Sequence, residues 1–164
     1  MKKLLALVLC LMMACTLSAA VAEDAAMEDL FEGAWVQFED GFEFYLPAGW
    51  YAFECTPEMN EQGVFYMAGT EDLSYSCTLA WKPLDADYAI EDVQAQIATV
   101  YADAQVVAVN DVALITYVDA ENNLLNCVAM DATEPGFYLF AFSPADDADF
   151  QLLASLIASS IRNI

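Results

Sequence analysis

From Trp35 onward the chain is written in a period of two, with apolar and polar residues alternating in short runs that Gly, Pro, Asn and Asp interrupt. Side chains two apart share one face of a strand, so this spacing commits most of the chain to β-structure. Trp35 to Phe38 and Phe42 to Leu46 flank Glu39-Asp40-Gly41, an Asp-Gly turn between apolar runs and hence a hairpin signal. Phe42, Phe44 and Leu46 fall on one face and Glu43 and Tyr45 on the other. Pro47-Ala48-Gly49 stops that strand, and Trp50 to Cys55 begins another. Val64 to Ala68 and Leu73 to Trp81 form a second pair, in which Ser74, Ser76 and Thr78 oppose Tyr75, Cys77 and Leu79.

Later strands are predicted at Gln105 to Val109, Val112 to Val118, Leu124 to Met130 and Phe137 to Phe142, separated by Asn110-Asp111, Asp119 to Asn123 and Glu134-Pro135-Gly136. The runs at Val112 to Val118 and Phe137 to Phe142 are apolar on both faces, which requires a covering layer on each side of the sheet. Two segments supply helices for it. Ile90, Val93, Ile97, Val100 and Tyr101 recur at helical spacing behind Asp87 as cap. Phe150, Leu153, Leu156, Ile157 and Ile161 make the buried stripe of a last helix spanning Pro144 to Arg162, with Ser143-Pro144-Ala145-Asp146 as a capping box and Arg162 complementing the dipole at its end. The fold class expected is α+β, an antiparallel-rich sheet with helices packed on both faces.

Ahead of this body, Met1-Lys2-Lys3, the apolar run Leu4 to Met13 and Ala20-Val21-Ala22 have the three parts of an export signal, so 1–22 is read as a signal peptide cleaved before Glu23. Met12-Met13-Ala14-Cys15 gives the minority alternative, a lipoprotein anchored through Cys15. Residues 23–34 form an arm or short helix, and 35–164 a single domain. No stretch of the mature chain is apolar and long enough to span a bilayer as a helix.

The charge excludes more than it suggests. The full chain carries 4 cations against 26 acids and no histidine, a net charge of -22. Loss of Lys2 and Lys3 with the leader leaves Lys82 and Arg162 against all 26 acids, or -24. Such a surface repels nucleic acid and anionic membranes. Without histidine there is no Ser-His or Cys-His nucleophile and no histidine-bound metal, while Lys82 before Pro83 sits in no Ser-x-x-Lys motif. Carboxylates alone remain as catalysts, which admits a small carboxylate-based hydrolase as one alternative.

The densest acid clusters, Asp85/Asp87/Glu91/Asp92 and Asp146/Asp147/Asp149, are candidate calcium ligands for a calcium-responsive surface protein. They coincide with helix starts, where acids cap amides, and helix capping is the stronger reading. No cofactor is expected. Of the aromatic residues, Trp50 and Tyr51 are the candidate ligand or partner surface, because they follow a turn at a strand entrance. Cys77 and Cys127 read as buried small residues; if one bridge forms, it joins Cys55 to Cys77.

The run Phe42-Glu43-Phe44-Tyr45-Leu46-Pro47-Ala48-Gly49-Trp50, followed by a strand pair, a helix, several strands and a final capped helix, resembles the Mog1/PsbP-like α/β/α sandwich over roughly Phe42 to Ile161. That resemblance implies a largely noncatalytic protein. Some members of the group bind a partner protein, and the photosynthetic ones are accessory subunits associated with metal retention. The function expected is a secreted or cell-envelope binding or accessory module, whose partner is an unidentified protein or envelope ligand.

Overall fold

The computed structural model describes residues 27–164. The signal peptide, Cys15 and the first residues of the arm lie outside them. Among the described residues ten strands form two antiparallel sheets. The smaller has the order β1-β2-β10, built from β1 (Gly33–Gln37), β2 (Phe42–Pro47) and β10 (Arg162–Asn163). The larger has the order β3-β4-β5-β9-β8-β7-β6. Its strands are β3 (Tyr51–Phe53), β4 (Val64–Gly69), β5 (Ser76–Pro83), β6 (Gln105–Val109), β7 (Val112–Asp119), β8 (Leu124–Met130) and β9 (Gly136–Ser143).

The hairpins follow from their turn residues. Asn110 and Asp111 both take positive φ, 47° and 62°, the two left-handed residues that match the twist of a two-residue turn between β6 and β7. Gly41, at φ 85°, closes the turn between β1 and β2. In the larger sheet β9 is the middle strand, flanked by β5 and β8, and alternate residues feed two cores. Leu114, Leu125, Cys127 and Phe140 pack with Phe44, Ala154 and Ile157, while Ile115 and Val128 pack with Val93 and Ala104. The fold is α+β with a helix on each face, as the doubly apolar strands required.

One face is covered by α3 (Ile90–Ile97). The other is covered jointly by α4 (Ala148–Ser159) and the small sheet, a division the alternation did not predict. Among the described residues two short helices complete the set: α1 (Met27–Leu30), within the expected arm, and α2 (Pro57–Glu61), in the stretch between Cys55 and Val64 to which no element was assigned. Thr56 caps α2 by accepting from the Met59 amide, with Pro57 behind it.

Both longer helices are shorter than expected. Asp87 does not cap α3; its first flanking residue is Ala89, with no side-chain cap, and Val100 lies beyond the end, 76% exposed. The Ser143–Pro144 peptide is cis, and Pro144 does not open α4. The cap there is Asp147, whose extended backbone lets one carboxylate oxygen accept from the amides of Asp149 and Phe150 at 3.0 Å each. It outcompetes Ser143 because it lies immediately before the turn it satisfies.

Arg162 is not in a helical turn. It lies in β10, where its guanidinium binds Glu43 at 2.6 Å and lies over the Trp35 ring at 3.6 Å. Glu43 is therefore buried opposite the Phe42 face without being an orphan, since Gln37 also donates to it at 2.9 Å. Just before β10, the buried Ser160 hydroxyl accepts from the Tyr45 amide at 2.8 Å and donates to Ile157. The hydroxyl takes the place of a strand partner where β10 has not yet begun.

Candidate functional site

All three cysteines among the described residues are free, as the reading of Cys77 and Cys127 as buried small residues has it, and the conditional Cys55–Cys77 bridge is not formed. Cys77 is wholly enclosed on β5, whereas Cys55 lies in the connection between β3 and α2. Burial raises the pKa of all three thiols, that of Cys127 to about 12. None is a ready nucleophile at neutral pH.

The residues singled out in the sequence are only partly brought together. Trp50, Tyr75, Phe150 and Leu153 line a hollow of about 290 Å³ with Asp147 and Asp149. Tyr51 is outside it, 54% exposed on the edge strand β3. The acid in that hollow is already employed: Asp147 caps α4 with one oxygen and accepts the Tyr75 hydroxyl at 2.9 Å with the other. Those bonds, the Phe150 amide foremost, hold its carboxyl below the usual range. Asp146 instead meets the Asn123 amide nitrogen at 3.4 Å, and Asp85 accepts the Tyr88 hydroxyl at 2.9 Å far along the chain from either. Asp87 makes neither contact. Among the described residues no group of three or more acids, cysteines or histidines is set to hold a metal ion.

A larger cleft, about 430 Å³, opens at the other end of the β5–β9 pair. Register opposes Trp81 to Tyr138 and Pro83 to Gly136. Gly136 is what lets the indole lie across the sheet, because a Cβ there would stand 2.7 Å from Trp81 Cζ2 and 2.9 Å from the Lys82 carbonyl. The turn from β8 to β9 then folds over the ring edge. One oxygen of Asp131 accepts from the Thr133 amide and hydroxyl, both at 2.8 Å, and from the Glu134 amide at 3.4 Å; the other accepts the Trp81 indole N–H at 3.2 Å.

Phe42 and Phe65 form the facing wall. The Phe42 ring centre is 4.7 Å from that of Tyr138 and 6.1 Å from that of Phe65, and Phe65 is 39% exposed. Asp40, carried on the β1–β2 turn, and Glu134 complete an acidic rim with Asp131. Among the described residues no lysine or arginine lines the cleft.

The electrostatics follow the geometry. Burial pushes Asp131 upward, but the Thr133 and Glu134 amides, the Thr133 hydroxyl and the indole outweigh it, leaving the carboxyl below its ordinary value and ionised. Beside it the Tyr138 phenol is driven up to about 12, first by burial and then by Asp131, Asp40 and Glu134. Tyr138 thus feels all three acids.

Sequence reading singled out Trp50 and Tyr51 among the aromatic residues and placed none of the residues of this cleft in a site. The Glu134-Pro135-Gly136 turn was the available signal, since Gly beside a strand marks a close approach. What it could not give was the approached partner.

No protein-family model matches the sequence, and no curated protein does. Among solved structures the chain is similar to cyanobacterial PsbP (CyanoP) from Synechocystis sp. PCC 6803, with a TM-score of 0.53 and 18% identity over 78% of this chain and 89% of that one. This similarity establishes a PsbP-like fold, the architecture that the Phe42–Trp50 motif implied.

Proposed function

We propose that this protein is an exported, noncatalytic binding or accessory module and that its ligand sits in the cleft between Trp81 and Phe42. The observation that carries the reading is the cleft itself: a hollow of about 430 Å³ with four aromatic side chains and an acidic rim, at the size of a small-molecule or side-chain pocket. Export is supported by the basic, apolar and small-residue parts of the first 22 residues. No helix among the described residues is long and apolar enough to cross a membrane.

The noncatalytic part rests on protonation states. A carboxylate hydrolase needs one acid kept protonated near neutral pH. Among the described residues the carboxyls whose pKa is displaced, Glu28, Glu43, Asp72, Asp119, Asp131 and Asp147, are all displaced downward, Asp72 to about 2 by the Ser74 amide and hydroxyl. They are held ionised and suit attraction better than proton donation. The PsbP-like fold is consistent with an accessory role.

The test is a fragment screen on the mature chain by two-dimensional NMR, with polar, apolar and charged fragments at millimolar concentration. Shifts clustered at Trp81, Thr133 and Tyr138 are expected. Shifts that concentrate around Trp50 and Tyr75, or none at the cleft, would overturn the assignment.

A further inference from the structure

We infer that the cleft is selective for an alkylammonium group, a primary or quaternary nitrogen cation on a short aliphatic stem. The inference rests on the reading of the cleft as the binding site and adds the chemical class of what enters it. Its accessible walls are the half-buried Trp81 and the 39% exposed Phe65, with buried Tyr138 and Phe42 behind them, and its rim carries Asp40, Asp131 and Glu134. Aromatic faces attract organic cations through their quadrupole, most strongly at Trp, and a nearby carboxylate adds charge attraction.

Other ligand classes fit less well. An anion meets three carboxylates and no cation. A sugar needs several free donors, yet the indole N–H is already given to Asp131 and the Thr133 hydroxyl donates to the same carboxylate. A neutral apolar group would strip water from the acidic rim and return nothing for it. A cation with apolar substituents satisfies both halves of the lining at once. Its positive charge also has to come from outside, because the described part of the chain holds only Lys82 and Arg162, and both are engaged elsewhere: Lys82 with the Gln62 carbonyl, Arg162 with Glu43.

The experiment uses the mature chain and follows its three indole N–H resonances, one for each tryptophan. Choline is titrated against 3,3-dimethylbutan-1-ol, its neutral isostere, with methyl glucoside as a third probe. Choline should bind at least ten-fold more tightly than the alcohol and move the Trp81 resonance while Trp35 and Trp50 stay in place. Glu134→Gln and Asp40→Asn, which leave the Asp131 network intact, should each weaken choline several-fold, and Trp81→Ala should abolish the shifts that choline causes at the backbone amides of Thr133 and Tyr138.

N-acetyl-lysine amide forms a separate arm. Stronger binding than choline identifies a protein side chain as the source of the cation, and weaker binding identifies a free quaternary amine. Equal binding of choline and its isostere at Trp81 overturns the cation class and leaves the cleft as the binding site. Binding of the glucoside alone does the same. Silence of the Trp81 resonance with every probe overturns both.

Discussion

Phe44 is the side chain on which the joining of the two sheets can be tested. It is fully buried on β2 and faces the larger sheet, with ring centres 5.5 Å from Phe140, 5.6 Å from Tyr66 and 5.7 Å from Phe38. Phe44→Ala removes the ring and leaves a hole that three aromatic neighbours, held by strands on both sides, cannot close. Such truncations cost about 3–5 kcal/mol, and the upper half of that range applies because each aromatic pair adds roughly 0.5–1.5 kcal/mol beyond the area buried. We expect about 4 kcal/mol, a large part of the 5–15 kcal/mol that typically holds a domain together. In urea unfolding followed by tryptophan fluorescence, a slope near 2 kcal/mol/M turns this into a midpoint lower by about 2 M. Val100→Ala, at a position 76% exposed, serves as the control and should change stability by less than about 0.5 kcal/mol. A loss below about 1 kcal/mol for Phe44→Ala at unchanged slope would refute the joint core. Phe42 lies two residues away on the same face, so the same variant should also weaken ligand binding in the cleft.

Other expectations are shorter to state. Ser160→Ala leaves the buried Tyr45 amide without its acceptor and should cost about 1–3 kcal/mol in the same urea assay; a neutral result would mean that water replaces the hydroxyl. Hydrogen bonds from Gln37 and then Arg162 hold the Glu43 pKa down, so its contribution to stability is complete above the ordinary glutamate value of about 4.3 and is lost as pH falls through the lower folded value. Thermal melts from pH 6 to pH 2 should therefore show Glu43→Gln less stable than wild type at pH 6, with the two curves converging on acidification; parallel curves would contradict the pairing. With a thiol-specific chromogenic reagent, Cys55 should react first, and Cys77 and Cys127 only on unfolding. Millimolar calcium should raise the melting temperature no more than magnesium does, because both oxygens of Asp147 are committed within the fold and no acid cluster among the described residues is arranged to hold an ion.

The parts of this fold that were legible in the sequence are those written locally. β6 and β8 have the bounds that alternation gave, and the Asn110-Asp111 turn carries its left-handed conformation in its residue types. Helix starts were less legible because acids crowd them. Asp85, Asp87, Asp146 and Asp147 are all plausible caps by type, and only backbone geometry selects Asp147 at one helix and none of them at the other. Partition into two sheets was not legible at all, since Phe42-Glu43-Phe44 reads the same whether its strand lies beside β5 or across a core from it. The cleft fell in the same blind spot. Asp40, Trp81, Asp131 and Tyr138 meet through the pairing of β5 with β9 and the packing of the small sheet over both, contacts between residues up to about a hundred positions apart.

The scarcity of cations takes a specific meaning from these contacts. The described residues carry only two cations, Lys82 and Arg162, and use them where an acid would otherwise be buried alone or a loop left unpinned. Arg162 does the first, at Glu43, and Lys82 the second, at the carbonyl that ends α2. Neither is free to neutralise the Asp40–Asp131–Glu134 rim, although Lys82 is the next residue after Trp81. Successive side chains of a strand point to opposite faces, so the period of two that sends the Trp81 ring into the cleft sends the Lys82 ammonium away from it. The alternation that builds the sheet therefore also leaves the rim acidic, and a bound cation supplies the charge that this chain withholds.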